Sequence, residues 1–585
     1  MMARHARGFL TVLLVACSVL SACGPEPESI ADAADILIHN AKIYTVDESN
    51  LWAQAAAIRN GRFVYVGSDA GVHAFHGSDT RSFDLAGKMV LPGLIDSHTH
   101  PGSIAIKGNE DTSKNLPYPA SKAEILAWVA DYAAANPKPD LILTGHWQVD
   151  VFGIEGPRKE DLDAVVPDRP VVLLDDSGHS KWVNSAFLKM IGVDANTPDE
   201  VPGVSFFARD ANGEPTGWIK EAGMLRYFSA KASLVPEHHE LVEQMERVVH
   251  HLSRSGVTSL LDAGNMGVED RVYAAVAELD RGERLPLRYE GTYHIRLPDQ
   301  VPIAIEELKR LRALYAGERL QFNTIKIHFD GINELRTAAV LEPYSDHPGN
   351  RGGTTISGEV LEQFILALNR ESIDLHLHTN SDGAARIALD AVAGARERAG
   401  GKLDTRVALC HLELLHEDDF ARFRELGVIA NFTLHWNGIG YLSSWGPSIG
   451  PERTAQRFRI RPLIDDGAIV TYSSDETTIA GLARTSPFFS MQIGHNRQEV
   501  GAAPDSEILA PIGERLDLAD IVDGYTKAGA YQLRAEGDLG TIEFGKLADL
   551  IVLNENLFAA DRYEIHKIAP TAVLLAGELV QGSLP

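Results

Sequence analysis

Eight short apolar segments recur along the middle of the chain, at 94–98, 257–262, 287–294, 324–330, 373–378, 407–412, 428–433 and 468–475. Each has the length of one strand, and helix-like stretches stand between them. One such stretch carries Val360, Leu361, Phe364, Ile365 and Leu368, an apolar stripe at helical spacing. Alternation of this kind builds parallel βα units, and eight is the number that closes them into a barrel. The predicted class is α/β: a (β/α)8 barrel of the triosephosphate-isomerase (TIM) type. Such barrels keep their chemistry at the carboxyl ends of the strands.

A chain of 585 residues is longer than a barrel needs. Alternating segments at 36–46 and 55–66, the second split by the turn Asn60-Gly61, read as hairpins. Apolar runs at 547–553 and 572–580 match them at the other end. Residues 35–90 with 538–585 are thus expected to form one composite β-sandwich beside a barrel of residues 91–537. The gap between the first and second strands makes 101–250 an insertion that roofs the barrel mouth. It is expected to hold helices, one of them from 121 to 135 opened by a Ser121–Glu124 capping box.

Residues 1–22 read as a signal peptide: Arg4 and Arg7 precede an apolar run at 9–19 that is too short to span a bilayer. Leu20-Ser21-Ala22-Cys23 resembles the bacterial lipobox, which implies cleavage before Cys23 and a lipid on its sulfur. The Pro-rich stretch 23–34 is then a tether. The expected address is the cell envelope, at the outer membrane or its periplasmic face, with the membrane touched only through the lipid. The mature chain keeps Cys23 and Cys410, so no internal disulfide is available. The net charge of −27 repels phosphate backbones and excludes nucleic acid as a partner. A homo-oligomer is compatible with the sequence.

The strand ends carry chemistry. Asp96-Ser97-His98-Thr99-His100 closes the first strand, and at period two His98 and His100 project to one face, as two ligands of one metal must. Strand four ends in Lys326, His328 and Asp330; strand five places Asp374, His376 and His378 on its polar face; His411 ends strand six and Asp475 strand eight. Taken singly, each fits a satisfied core histidine, a paired lysine or a helix cap. Together they form a polar barrel interior that is costly unless it binds something. Cys410, of opposite parity to His411, is expected in the core.

Leu91-Pro92-Gly93-Leu94-Ile95-Asp96-Ser97-His98-Thr99-His100, with the downstream lysine, histidines and Ser474-Asp475, resembles the metal-dependent amidohydrolase superfamily. Gly178-His179-Ser180-Lys181-Trp182, Asn212-Gly213-Glu214-Pro215-Thr216-Gly217, Thr337-Ala338-Ala339 and Gly545-Lys546-Leu547-Ala548-Asp549 are similar to amidohydrolase family 3, which includes N-substituted formamide deformylases. The resemblance implies two divalent ions, Zn²⁺ being expected. Their ligands would be His98, His100, a carboxylated Lys326 as bridge, His378, His411 and Asp475. It places His179 and Trp182 at the substrate pocket. Two motifs depart from the family, His378-Thr379-Asn380-Ser381-Asp382 after strand five and Leu434-His435-Trp436 after strand seven. His376 and His328 share faces with the implied ligands, and an ammonium of Lys326 paired with Asp330 or Asp374 around one metal is the other arrangement.

The implied activity is metal-assisted hydrolysis of a C–N bond in a small amide-type substrate. Asp475 would move the water's proton, and His179 would polarise the carbonyl. The nearest rival among enzymes is a cyclic amide or imide hydrolase on the same scaffold. Outside enzymes the rivals are a non-catalytic binding lipoprotein, which has no need of Asp475, and a structural envelope protein, for which a polar interior is wasteful.

Overall fold

The computed structural model describes residues 33–108, 116–138, 141–221, 235–438 and 446–585. The signal peptide and Cys23, with most of the tether, lie outside the described residues. The eight segments pair in one parallel sheet: β1 Leu94–Thr99, β2 Val257–Asp262, β3 Arg288–Ile295, β4 Leu320–His328, β5 Asp374–Thr379, β6 Val407–His411, β7 Ile429–Thr433 and β8 Ile469–Ser473. First and last strands meet where the Asp475 N–H donates to His98 O at 2.9 Å, the Ser474 N–H to Asp96 Oδ1 at 3.0 Å and the Ser474 hydroxyl to Asp96 Oδ2 at 2.6 Å. Helices pack around the sheet by their apolar stripes. In Gly358–Glu371, capped by Ser357, the buried residues are Leu361, Phe364, Ile365 and Leu368.

Strand register sets the levels of the interior. Lys326 stands opposite His376, and His328 stands opposite His378 one pleat higher. Thr379 is opposite His411.

Strands from both termini share a six-stranded sheet, in which Met89–Pro92 pairs with Leu550–Leu553. A four-stranded sheet of 36–84 faces it across a core that includes Ile36, Phe63, Val90, Leu550 and Leu574. The hairpin turn falls on Asn60-Gly61, with φ of 50° and 74°, the left-handed pair such a turn requires.

The roof differs from expectation. The helix Lys122–Ala135 has its Ser121 capping box, but a five-stranded sheet dominates, ordered 206–209, 215–220, 180–183, 171–175 and 142–147. The far part of 101–250 is not roof at all. Helix His238–Arg254 buries Leu241, Met245, Val248 and Leu252 in the same core as Leu94 and Val257, and so packs on the barrel. An amphipathic stripe does not reveal which surface it will cover, so its spacing could not separate the two roles. Ile332 and Leu335, from the loop after β4, join the roof's own core and dock it on the mouth. Among the described residues no helix is long and apolar enough to cross a membrane.

Candidate active site

At the seam between β1 and β8, His98 Nε2 and His100 Nε2 lie 3.3 Å apart, and each is 3.2 Å from Asp475 Oδ1. Donors about 2.0–2.1 Å from a tetrahedral Zn²⁺ stand about 3.3–3.4 Å from one another, so this triangle has the edges of a metal site. The remaining ring nitrogens are tied down: His100 Nδ1 by Gly264 O at 3.1 Å, His98 Nδ1 by His376 Nε2 at 2.9 Å. Holding the second nitrogen in this way orients a metal-binding imidazole. Burial, reinforced by the field of Lys326, pushes His98 down to about 3, which keeps it neutral. Burial works to raise Asp475, but His98 and His100 outweigh it and hold the carboxyl well below its usual range. Neutral imidazoles and an ionised carboxylate are the forms that ligate. Asp475 and His411 both adopt positive φ, 45° and 77°, a strained conformation of the kind found at functional sites.

His376 is a support and not a donor to the triangle. Its Nε2 is on His98, and Gln532 stands under its ring. Gln532 accepts from Thr471 Oγ1 at 2.6 Å and donates to Ser97 O at 2.8 Å. His328, by contrast, joins a second cluster: the donors of His179, His328 and His378 lie within 4.8 Å of one another. Each of the three has a ring nitrogen on a buried carboxylate. His378 Nδ1 is 3.1 Å from Asp330 Oδ1, His179 Nδ1 is 2.6 Å from Glu221 Oε2, and His328 Nε2 is 3.3 Å from the same Oε2. Burial would lower His179, yet the Glu221 charge prevails and raises it.

His411 faces His378, with ring centroids 4.5 Å apart, and stacks on Trp436 at 5.2 Å. Its Nδ1 is 3.6 Å from Asp475 Oδ2. Lys326 is buried, and its Nζ donates to Cys410 Sγ at 3.1 Å. Neither acid considered for Lys326 is its partner: Asp374 pairs with Arg534 and Asp330 with His378.

Cys410 is buried and no nucleophile, as expected; its strand parity and the place of Trp182 are corrected. Cys410 lies inside the barrel, where its thiol donates to Leu377 O at 3.0 Å and meets Lys326. The left-handed turn at His411 breaks strand alternation, so consecutive side chains both face inward. Burial pushes the thiol up to about 12, which leaves it no nucleophile. Trp182 does not reach a substrate pocket. It is fully buried in the roof's core against Trp147 and Phe152, with its Nε1 donating to Arg158 O at 2.8 Å. Of the two roof residues, only His179 reaches the barrel site.

Three residues at the mouth escaped the sequence reading. Glu221, an isolated acid after a roof strand, carried no signal. His294 stands next to the end of β3, near the position that singled out the other histidines, and could have been found; Arg296 lies just past the strand.

A closed parallel barrel whose first-strand histidines meet a last-strand aspartate defines the class of metal-dependent hydrolases. The chain belongs to the amidohydrolase family, whose profile matches residues 81–581, as the motifs predicted. Among its relatives, the exoenzymes regulatory protein AepA of Pectobacterium carotovorum subsp. carotovorum is 28% identical over 75% of this chain and 93% of its own length. The N-substituted formamide deformylase of Arthrobacter pascens is 26% identical, over 89% of this chain and 94% of its own. The crystal structure of an uncharacterized metal-dependent hydrolase from Pyrococcus horikoshii OT3 superposes with a TM-score of 0.64 at 22% identity, covering 90% of this chain and 99% of that one, a likeness of fold.

Proposed function

We propose that this family member hydrolyses a C–N bond other than a peptide bond in a small amide-type molecule, one with an N-acyl or N-formyl group. The observation that carries the reading is the triangle of His98, His100 and Asp475. Divalent ions bound there, Zn²⁺ in our reading, supply a Lewis acid for the carbonyl and an acidified water, with a pKa of about 7 for zinc. Asp475 takes the water's proton on a carboxylate oxygen and returns it to the leaving nitrogen. His179, with Nδ1 committed to Glu221, presents its Nε2–H to the carbonyl oxygen from the roof.

We assign two ions. His98, His100 and Asp475 would hold the first, and His378 and His411 the second, with a carboxylated Lys326 able to serve both. A lysine ammonium has no acceptor, whereas its carbamate supplies two oxygens. A second arrangement rests on a specific observation: His179, His328 and His378 close a three-donor site as they stand. Metal stoichiometry separates them. Loss of one ion per chain in Lys326→Ala but not His328→Ala supports the bridge, and the reverse supports the three-histidine site.

The activity is tested with a panel of N-formyl amines, N-acyl amino acids and cyclic imides. Hydrolysis of an open-chain amide that stops on chelation and returns with Zn²⁺ is expected. Turnover confined to cyclic imides, or indifferent to chelation, rejects the reading. The run Leu20 to Cys23 supports export and lipid anchoring in the cell envelope; Cys23→Ser should then move the protein to the soluble fraction.

A further inference from the structure

We infer that Arg296 and His294 form a carboxylate-binding subsite beside the candidate metal centre, so that the substrate is an acidic amide of the N-acyl amino acid class. This deepens the hydrolase reading above and rests on it.

His294 is in register with the inward-facing Lys326 near the end of β3, and Arg296 stands two residues on, just past the strand, where its charge is felt by both His294 and His179. Arg296 is 8% exposed, its Nε has no hydrogen-bond partner, and among the described residues no carboxylate forms an ion pair with it. His294 is 4% exposed, and neither ring nitrogen has a partner. Burial without partners is unfavourable for both groups. It is also not how this chain treats its other buried arginines: Arg457 Nε donates to Thr454 O at 2.8 Å. Arg497 donates to the carbonyl oxygens of Leu509, Phe458, Arg457 and Ala510.

The acids in the field of Arg296 are Glu221 and Glu269. Glu221 is already bound by His179, His328 and Thr337. Glu269 accepts the Gly267 N–H at 3.1 Å. A guanidinium fork with open donors, flanked by an imidazole with open nitrogens, matches a carboxylate in shape and charge.

The position suits a substrate that reaches the metal donors. The His294 ring is 6.4 Å from that of His328, which stacks on His378 at 4.2 Å. Gly264 lets His294 lie this close, since a Cβ there would meet His294 Nδ1 at 2.2 Å. The carbonyl of the same Gly264 holds His100. A carboxylate on Arg296 thus leaves an attached amide beside the His98–His100–Asp475 triangle.

Calorimetric titration of metal-loaded Asp475→Asn protein, which separates binding from turnover, compares N-acetylglycine with its neutral analogue N-acetylglycinamide. The acid is expected to bind about tenfold or more tightly, with the preference falling to about twofold when Arg296→Gln or His294→Asn is added. Should Arg296→Gln fail to fold, Arg296→Lys keeps the charge without the fork and should retain only part of the preference. Equal binding of acid and amide, or a preference that survives these substitutions, overturns the subsite. Failure of the hydrolase reading shows separately, as absence of turnover of every compound by the unsubstituted protein.

Discussion

His98, His100 and Asp475 come from neighbouring strands of one sheet, and the bond from Asp475 N–H to His98 O fixes their spacing. His179 and Glu221 come from the roof and meet His328 only because an inserted sheet docks on the loop after β4. The first cluster inherits its geometry from a hydrogen-bonded ladder. The second depends on packing between two cores. The difference teaches that the barrel supplies the donors for chemistry, while the roof supplies groups that tune and complete them.

The contrast breaks most sharply at Asp475. Asp475→Asn keeps the shape but removes the base, and turnover should fall by about 10²–10⁴-fold with the circular dichroism spectrum unchanged. Near-normal turnover in the metal-loaded variant would remove Asp475 from the mechanism.

Trp182 tests the roof as scaffold. Trp182→Ala opens the core shared with Trp147 and Phe152 and should destabilise by about 3–5 kcal/mol, read by denaturant unfolding, while the KM of the folded fraction stays put. A changed substrate preference with stability intact would return Trp182 to the pocket.

The smallest effect sharpens the comparison at Glu221. Glu221→Gln loosens His179 and His328 together and should cost about 10–100-fold in activity or metal affinity, the range for losing a carboxylate behind a ligand histidine. The sign of the pH effect follows from His179, which Glu221 raises above its usual value. Its imidazolium is present below that raised pKa and lost as pH climbs through it. If His179 donates Nε2–H to substrate, activity falls on the alkaline side, and Glu221→Gln moves that limb toward lower pH. An unmoved limb with one ion lost favours His179 as a metal ligand.

Much of the site was legible. Period-two alternation alone placed His98 with His100 and set Asp374, His376 and His378 on one face, because the strand pleat is a local property. It could not tell His376 from His378, since both face inward. One packs beneath His98 against Gln532, and the other meets Asp330. It misplaced Cys410, because a left-handed residue at His411 breaks the alternation the argument assumed. The family resemblance, not the alternation, put Trp182 at the pocket with His179, although residues three apart along an extended segment face opposite ways.

By itself, then, the sequence determined the eight strands and the shared inward face of His98 with His100, of Lys326 with His328 and of His376 with His378, for these follow from short-range hydrophobic periodicity. Only the tertiary structure decided which donors meet: the closure of β8 on β1, the docking of the roof, and the partnerless burial of Arg296 and His294. Those are contacts between residues far apart in the chain, and no local pattern encodes the distance between two side chains that only a closed barrel brings together.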